Sequence, residues 1–153
     1  MASSVPGSAA PDVRLSDGAH TLWLADLLGK KTVVLYFYPK DDTPGCTVEA
    51  CGFRDAYEDF VRAGAEVIGV SRDSAEAHAR FKAKHNLPFT LLSDPDGKAA
   101  EAFGVKKTFG VLPGRSTFVI DRAGVIRLRF DSQLRASEHV RRALDLVREL
   151  EVK

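Results

Sequence analysis

Two cysteines are the residues of this chain best suited to chemistry. They are Cys46 and Cys51, and the 153-residue sequence contains no others. A secreted disulfide scaffold would use more cysteines at wider spacing, whereas a close pair in a reducing compartment is more often catalytic, redox-sensing or metal-binding. The pair therefore indicates thiol chemistry. Two inert core thiols are the alternative, because free cysteine is among the most buried residue types.

The residues before Cys46 predict the surroundings of its sulfur. In the run PKDDTPGC, Thr43 suits the N-cap of a helix and Pro44 its first position, which places Cys46 inside the first turn. Unpaired backbone N–H groups and the positive end of the helix favour a thiolate there. Such a thiolate attacks a peroxide O–O bond and becomes a sulfenic acid. We expect the Thr43 hydroxyl to hydrogen-bond the sulfur and the peroxide.

Cys51 is predicted to lie in the same helix, which constrains how it reacts with Cys46. Residues five apart on an ideal helix have Cα atoms about 8.6 Å apart. A disulfide usually requires a Cα–Cα distance of roughly 4.4–6.8 Å. We therefore expect a reduced state that is fully helical and an oxidised state in which at least the first turn has unwound.

Two other kinds of thiol site fit the sequence less well. A zinc site would need more ligands at familiar spacing, which none of His20, His78, His85 and His139 provides. A thioredoxin-type oxidoreductase would carry Cys-x-x-Cys at the helix start, and that motif is absent from the sequence. No metal and no cofactor is therefore predicted.

The elements around this helix predict an α/β protein with a thioredoxin-like fold. Strands and helices alternate early and an antiparallel hairpin comes late, which favours a mixed central sheet flanked by helices, with an extra N-terminal β-hairpin. Predicted strands span 12–15, 20–24, 32–37, 66–71, 89–92, 116–120 and 125–130, and predicted helices span 43–63, 74–85 and 98–103. In the last strand Ile126, Leu128 and Phe130 should share one face. A closing helix should bury Val140, Leu144 and Val147.

Length and composition indicate the number of domains, the partners and the location. The length fits one domain, which we place at residues 10–153 after a disordered tail at 1–9. With 22 basic and 21 acidic residues, the net charge of +1 gives no reason to expect a nucleic-acid partner. No apolar run is long enough to span a bilayer. The first ten residues lack the basic and apolar regions of a signal peptide, so we expect a cytoplasmic location.

The pattern Pro39-x-x-x-Thr43-x-x-Cys46 resembles the active-site motif of the peroxiredoxins. The longer run at 34–55 is similar to the subgroup called PrxQ or bacterioferritin comigratory protein. The resemblance covers about residues 10–150, and the further matches are APD at 10–12, GVSRDS at 69–74, LPFTLLSD at 87–94 and RSTFVID at 115–121.

The resemblance implies a role for each matched residue. Cys46 matches the peroxidatic cysteine, and Cys51 matches the resolving cysteine. Thr43 matches the residue that orients the peroxide, and Pro39 the one that shields the pocket. Arg115 matches the arginine that stabilises the thiolate and polarises the peroxide, a role that suits a permanently charged group with fixed donors.

The resemblance also implies the activity: a thiol peroxidase for hydrogen peroxide and alkyl hydroperoxides, recycled by thioredoxin or a similar dithiol. Because both cysteines lie in one chain, we expect a monomer. Glu49 is interpreted as helix-polar or network-forming rather than catalytic. The segment 106–114 looks shorter than in many relatives, which leaves the preference among bulky peroxides open.

Three other functions use the same residues. A peroxide sensor would pass its disulfide to another protein instead of turning over. A general thiol–disulfide oxidoreductase is disfavoured by the missing Cys-x-x-Cys. A structural or binding module would carry inert thiols that alkylate slowly.

Overall fold

The predicted strands and helices occur in the predicted order, and the structure adds three short elements that were not predicted, at Leu24–Leu27, Lys107–Thr108 and Leu112–Pro113. The structure is a computed structural model that describes residues 5–27, 31–108, 112–132 and 135–151. Its strands are β1 (Arg14–Ser16), β2 (Thr21–Trp23), β3 (Thr32–Phe37), β4 (Ala65–Ser71), β5 (Thr90–Ser93), β6 (Lys107–Thr108), β7 (Leu112–Pro113), β8 (Ser116–Ile120) and β9 (Ile126–Asp131). Its helices are α1 (Leu24–Leu27), α2 (Pro44–Arg62), α3 (Ala75–His85), α4 (Lys98–Ala102) and α5 (Ala136–Glu151).

Seven of these strands form one mixed sheet, in the order β2-β1-β5-β4-β3-β8-β9. The pairs β3/β4 and β4/β5 are parallel, and the remaining pairs are antiparallel. This confirms the predicted mixed sheet. Strands β6 and β7 pair separately within the short segment 106–114, of which residues 109–111 lie outside the described ranges.

Strand β3 is buried on both faces, as its unbroken apolar run requires. Successive side chains of a strand point to opposite faces. Val34 and Tyr36 accordingly join the core that α2, α3 and α5 cover. Val33, Leu35 and Phe37 join the core on the other face, which α4 and the hairpin close. The next helix along the chain, α2, therefore follows a strand that is packed on both faces.

The closing helix α5 buries Val147, as predicted, but buries the other two predicted residues only in part. Its fully buried residues are His139, Ala143 and Val147, which recur every fourth position. Val140 and Leu144 lie beside this stripe and are only partly buried. The shift turns His139 towards the interior, where an imidazole needs hydrogen-bond partners.

Strand β9 departs from the predicted alternation because a β-bulge interrupts its pairing with β8. Val119 lies opposite Leu128, but Ile120 lies opposite Ile126, so Arg127 is the extra residue. Ile126 consequently joins the core on the α4 face, while Leu128 packs against the core on the α2 face. The prediction that these two side chains share one face was wrong.

The N-terminal hairpin extends the main sheet. Ser16 in β1 lies opposite Ser93 in β5, which joins the hairpin to the parallel strands. The Asp17 carboxylate closes the turn by accepting from the backbone N–H groups of Ala19 (2.9 Å) and His20 (2.6 Å).

The chain before β1 also contacts the sheet. The Gly7 N–H donates to the carbonyl of Ile126 (2.7 Å), and the Ala10 N–H donates to that of Gly124 (2.8 Å). The division between a tail and a domain at residue 10 stays a prediction. Within the described ranges, none of the helices combines the length and apolarity that crossing a bilayer requires.

Candidate active site

The start of α2 places Cys46 as the sequence predicts. Thr43 has extended backbone angles (φ −97°, ψ 155°) and is the N-cap, and Pro44 is the first helical residue. The Thr43 carbonyl accepts the first helical hydrogen bond, from the N–H of Thr47 at 2.8 Å. Cys46 lies in the first turn and is 1% exposed. Its sulfur therefore sits where unpaired backbone N–H groups favour a negative charge.

The Thr43 hydroxyl does not make the expected hydrogen bond to the sulfur: among the described residues, no hydrogen bond joins it to Cys46. It donates its proton to the carbonyl oxygen of Lys40 at 2.9 Å. Within the described chain it makes no capping hydrogen bond to α2. With its proton engaged, the Thr43 oxygen is left as an acceptor. Pro39, the other residue matched before the helix, is half-buried at the start of the same loop.

Arg115 reaches Cys46 from a distant part of the sequence. It immediately precedes β8, which is paired with β3, and its side chain is 5% exposed. Its Nη2 donates to the Cys46 sulfur at 3.4 Å, and its Nη1 donates to Glu49 Oε1 at 2.6 Å. A Cβ on Gly45 would lie 2.8 Å from the same Nη2. The glycine before Cys46 thus leaves the space that the guanidinium occupies.

Glu49 lies under the arginine and is fully buried. Burial raises the pKa of Glu49 to about 8, although Arg115 acts in the opposite direction. Its Oε2 has no hydrogen-bond partner among the described residues and lies 3.6 Å from His139 Nδ1. Because the carboxyl is mostly neutral near pH 7, it leaves the positive charge of Arg115 available to a Cys46 thiolate.

His139 completes the buried network as a neutral imidazole. Its Nε2 donates to the carbonyl of Ser132 at 2.8 Å, so its Nδ1 accepts from the Thr117 hydroxyl at 2.7 Å. Burial lowers the pKa of His139 to about 4. Arg115 is consequently the charged partner of the sulfur in this network.

Cys51 lies further along the intact helix. It is half-buried, and both cysteines are free thiols. Residues 44–62 are helical throughout, so the structure has the reduced, fully helical form predicted from the spacing. The unwound, oxidised form stays a prediction.

Some of this site was missed from the sequence. Glu49 was interpreted as helix-polar or network-forming, and it is a buried partner of Arg115. Its spacing of three from Cys46 was the available signal, since such residues share a helix face. Thr117 was not singled out, and His139 was considered only as a zinc ligand. His139 shares four-residue spacing with Ala143 and Val147, but a histidine on an apolar helix face does not by itself indicate a function.

Comparison with known proteins identifies the family. The model of the AhpC/TSA family matches residues 6–129. The chloroplastic peroxiredoxin Q of Sedum lineare is 46% identical over 152 residues, covering 98% of this chain and 81% of the relative. The chain belongs to the AhpC/TSA family. It is a peroxiredoxin of the PrxQ or bacterioferritin comigratory protein subgroup, as the motif resemblance predicted.

Solved structures confirm the thioredoxin-like fold of this peroxiredoxin. The peroxidoxin BcpB of Mycobacterium tuberculosis has a TM-score of 0.87 at 35% identity and covers 95% of this chain and 97% of its own. The bacterioferritin comigratory protein of Xanthomonas campestris, studied for its alkyl peroxide reduction activity, has a TM-score of 0.80 at 35% identity, with coverage of 91% and 92%. Membership confirms the predicted enzyme class, a thiol-dependent peroxidase.

Among the described residues, no group of three or more histidine, cysteine or carboxylate side chains is arranged to hold a metal ion. The structure brings the Arg115 guanidinium to the Cys46 sulfur and places Thr43 at the N-cap of the same helix.

Proposed function

We propose that Cys46 is the peroxidatic cysteine and that Arg115 and Thr43 bind the peroxide around it. The observation that carries this proposal is the 3.4 Å contact between Arg115 Nη2 and the Cys46 sulfur at the start of a helix. An always-charged donor and the helix N-terminus both favour the thiolate, which is the nucleophilic form. Pro39 shields the pocket from water.

The first step is attack of the Cys46 thiolate on one oxygen of the peroxide. The S–O bond forms as the O–O bond breaks, so the sulfur is oxidised to a sulfenic acid and the leaving oxygen departs as water or alcohol after gaining a proton. The Thr43 oxygen accepts a hydrogen bond from the peroxide O–H, because its own proton is engaged by Lys40. Arg115 stabilises the charge that passes from sulfur to the leaving oxygen.

The second step is condensation with Cys51, the proposed resolving cysteine. The Cys51 thiolate attacks the sulfenic sulfur, so the S–S bond forms as the S–O bond breaks, and the hydroxide that leaves gains a proton to become water. The intact α2 keeps the two Cα atoms too far apart for this bond, so the start of the helix must unwind first. Thioredoxin or a similar dithiol then reduces the disulfide and becomes oxidised itself.

Two single variants test this cycle. Cys46→Ser removes the nucleophile and abolishes peroxide consumption. Cys51→Ser leaves the first step intact, so one rapid turnover occurs and thioredoxin-linked recycling stops. Peroxide consumption that survives in Cys46→Ser contradicts the assignment. The wild type also distinguishes a peroxidase from a sensor that passes its disulfide to another protein. A peroxidase turns over continuously with excess thioredoxin, whereas a sensor shows no steady-state turnover.

The proposal extends to the substrates, the partners, the oligomeric state and the location of the protein. The substrates are hydrogen peroxide and alkyl hydroperoxides, and neither nucleic acid nor membrane is expected as a partner. Because one chain supplies both cysteines, the protein works as a monomer, which sedimentation of the reduced and oxidised forms checks. The cytoplasmic location stays a prediction, since the named plant relative is chloroplastic, and cell fractionation decides it.

A further inference from the structure

One peptide group in the loop before α2 is held at both of its polar atoms. The carbonyl of Lys40 accepts from the Thr43 hydroxyl at 2.9 Å. The N–H of Asp41, in the same peptide group, donates to Asp73 Oδ2 at 2.8 Å. Because a peptide group is planar, fixing the direction of its N–H fixes the direction of its C=O. Asp73 therefore sets where the Lys40 carbonyl points.

Asp73 is itself anchored to the ends of two parallel strands, to one through its carboxylate and to the other through its backbone. Its Oδ2 also accepts from the Ser71 hydroxyl at 2.6 Å, and its backbone carbonyl accepts from the Ser93 hydroxyl at 2.7 Å. Ser71 is the last residue of β4 and Ser93 the last of β5, and both are buried. The loop is thus tied to two inner strands of the main sheet.

The side chain of Asp41, the residue that follows this peptide group, is also held by hydrogen bonds. Its Oδ2 lies 2.6 Å from His78 Nδ1, and its Oδ1 accepts from the Tyr38 hydroxyl. His78 Nε2 contacts the carbonyl of Leu92 at 3.1 Å, and a carbonyl only accepts, so Nε2 carries a proton. The short Nδ1–Oδ2 distance joins the Asp41 and His78 side chains directly. A buried, hydrogen-bonded network of this kind is rigid.

We propose that Asp73 is a positioning residue for the peroxidase reaction. It holds the Lys40–Asp41 peptide so that the Lys40 carbonyl accepts a hydrogen bond from the Thr43 hydroxyl and the Thr43 oxygen is left to accept from the peroxide. This proposal rests on the proposed function, in which Thr43 binds the peroxide that Cys46 attacks. Asp73 acts through the peptide and not on the substrate.

The test compares two Asp73 variants by stopped-flow measurement of the second-order rate constant for Cys46 oxidation by hydrogen peroxide. Asp73→Ala removes the acceptor and lowers the rate constant roughly 2- to 10-fold, the value of one misplaced hydrogen bond. Asp73→Asn restores most of the rate, because both side-chain bonds of Asp73 go to a single oxygen that an amide also provides.

The decisive comparison repeats Asp73→Ala in a Thr43→Val background. In Thr43→Val there is no hydroxyl to orient, so adding Asp73→Ala leaves the residual rate constant unchanged. If Asp73 had only a structural role, Asp73→Ala would lower the rate constant equally in both backgrounds. Lys84→Met is the matched control, because Lys84 contacts the same loop through an exposed ion pair with Asp42. It leaves the rate constant unchanged.

A second measurement follows hydrogen exchange of the Asp41 backbone amide by NMR. It is slow in wild type and in Asp73→Asn, and fast in Asp73→Ala. Equal loss of rate in both Thr43 backgrounds, or an unchanged rate in Asp73→Ala, overturns the proposal. A wild type that shows no Cys46-dependent peroxide reaction overturns the proposed function instead, and amide exchange still reports whether Asp73 holds the loop.

Discussion

Replacing Gly45 by alanine separates the activity of this site from the stability of its helix. A Cβ at this position would lie 2.8 Å from Arg115 Nη2, closer than an ordinary van der Waals contact. The guanidinium cannot move far towards Glu49, since its Nη1 already lies 2.6 Å from Oε1. It must instead retreat from the Cys46 sulfur, which its Nη2 contacts at 3.4 Å.

The size of the effect follows from the bond that is lost. A hydrogen bond to a charged group contributes about 1.5–3 kcal/mol. Because this bond stabilises the thiolate and the charge developing on the peroxide, its loss lowers the rate constant for Cys46 oxidation roughly 10- to 150-fold. Alanine is also a better helix former than glycine by up to about 1 kcal/mol. This gain offsets only part of the lost bond in the free energy of unfolding and none of it in the rate, so Gly45→Ala should lose more activity than stability.

The assay is stopped-flow oxidation of Cys46 by hydrogen peroxide, with urea unfolding of each variant in parallel. Gly52→Ala is the matched control: it lies in the same helix, and its new Cβ would contact Val140 on α5 at 3.0 Å instead of the arginine. We expect it to keep the wild-type rate for the peroxide step. If Gly45→Ala oxidises as fast as Gly52→Ala, the contact between Arg115 and the sulfur does not govern the reaction.

Three further predictions concern titration and helix opening. The pKa of Glu49 is raised to about 8 in the folded protein. Its contribution to the free energy of unfolding is therefore complete below pH 4.5 and is lost as the pH rises through 8. The Glu49→Gln variant should lack this pH-dependent contribution. The pKa of His139 is lowered to about 4, so its contribution is present above pH 6.5 and is lost as the pH falls through 4. The His139→Gln variant should not show this loss at low pH. For each variant, a free energy of unfolding that depends on pH in the same way as in the wild type would contradict the argument for that residue. Oxidation to the Cys46–Cys51 disulfide should accelerate amide exchange in residues 44–52, and equal exchange in both redox states refutes helix unwinding.

Local patterns predicted much of this protein because their physics is local. The strand at Thr32–Phe37 was predicted with its observed bounds, since its unbroken apolar run suits a strand covered on both faces. The start of α2 followed from the capping preference of Thr43 and the fixed backbone of Pro44. In contrast, the bulge at Arg127 left no local signal, because it depends on how β9 pairs with β8.

The sequence by itself determined that Cys46 lies at the start of a helix and that Cys51 cannot reach it while that helix is intact, because helix geometry sets both. Only the tertiary structure decided what surrounds the sulfur. Pairing of β8 with β3 brings Arg115 to Cys46, and burial raises the pKa of Glu49. The route from Asp73 to the Thr43 hydroxyl likewise depends on side chains from separate strand ends. The spacing of residues along the chain does not specify which side chains meet across a sheet or how far they are buried, because both depend on how distant strands pair.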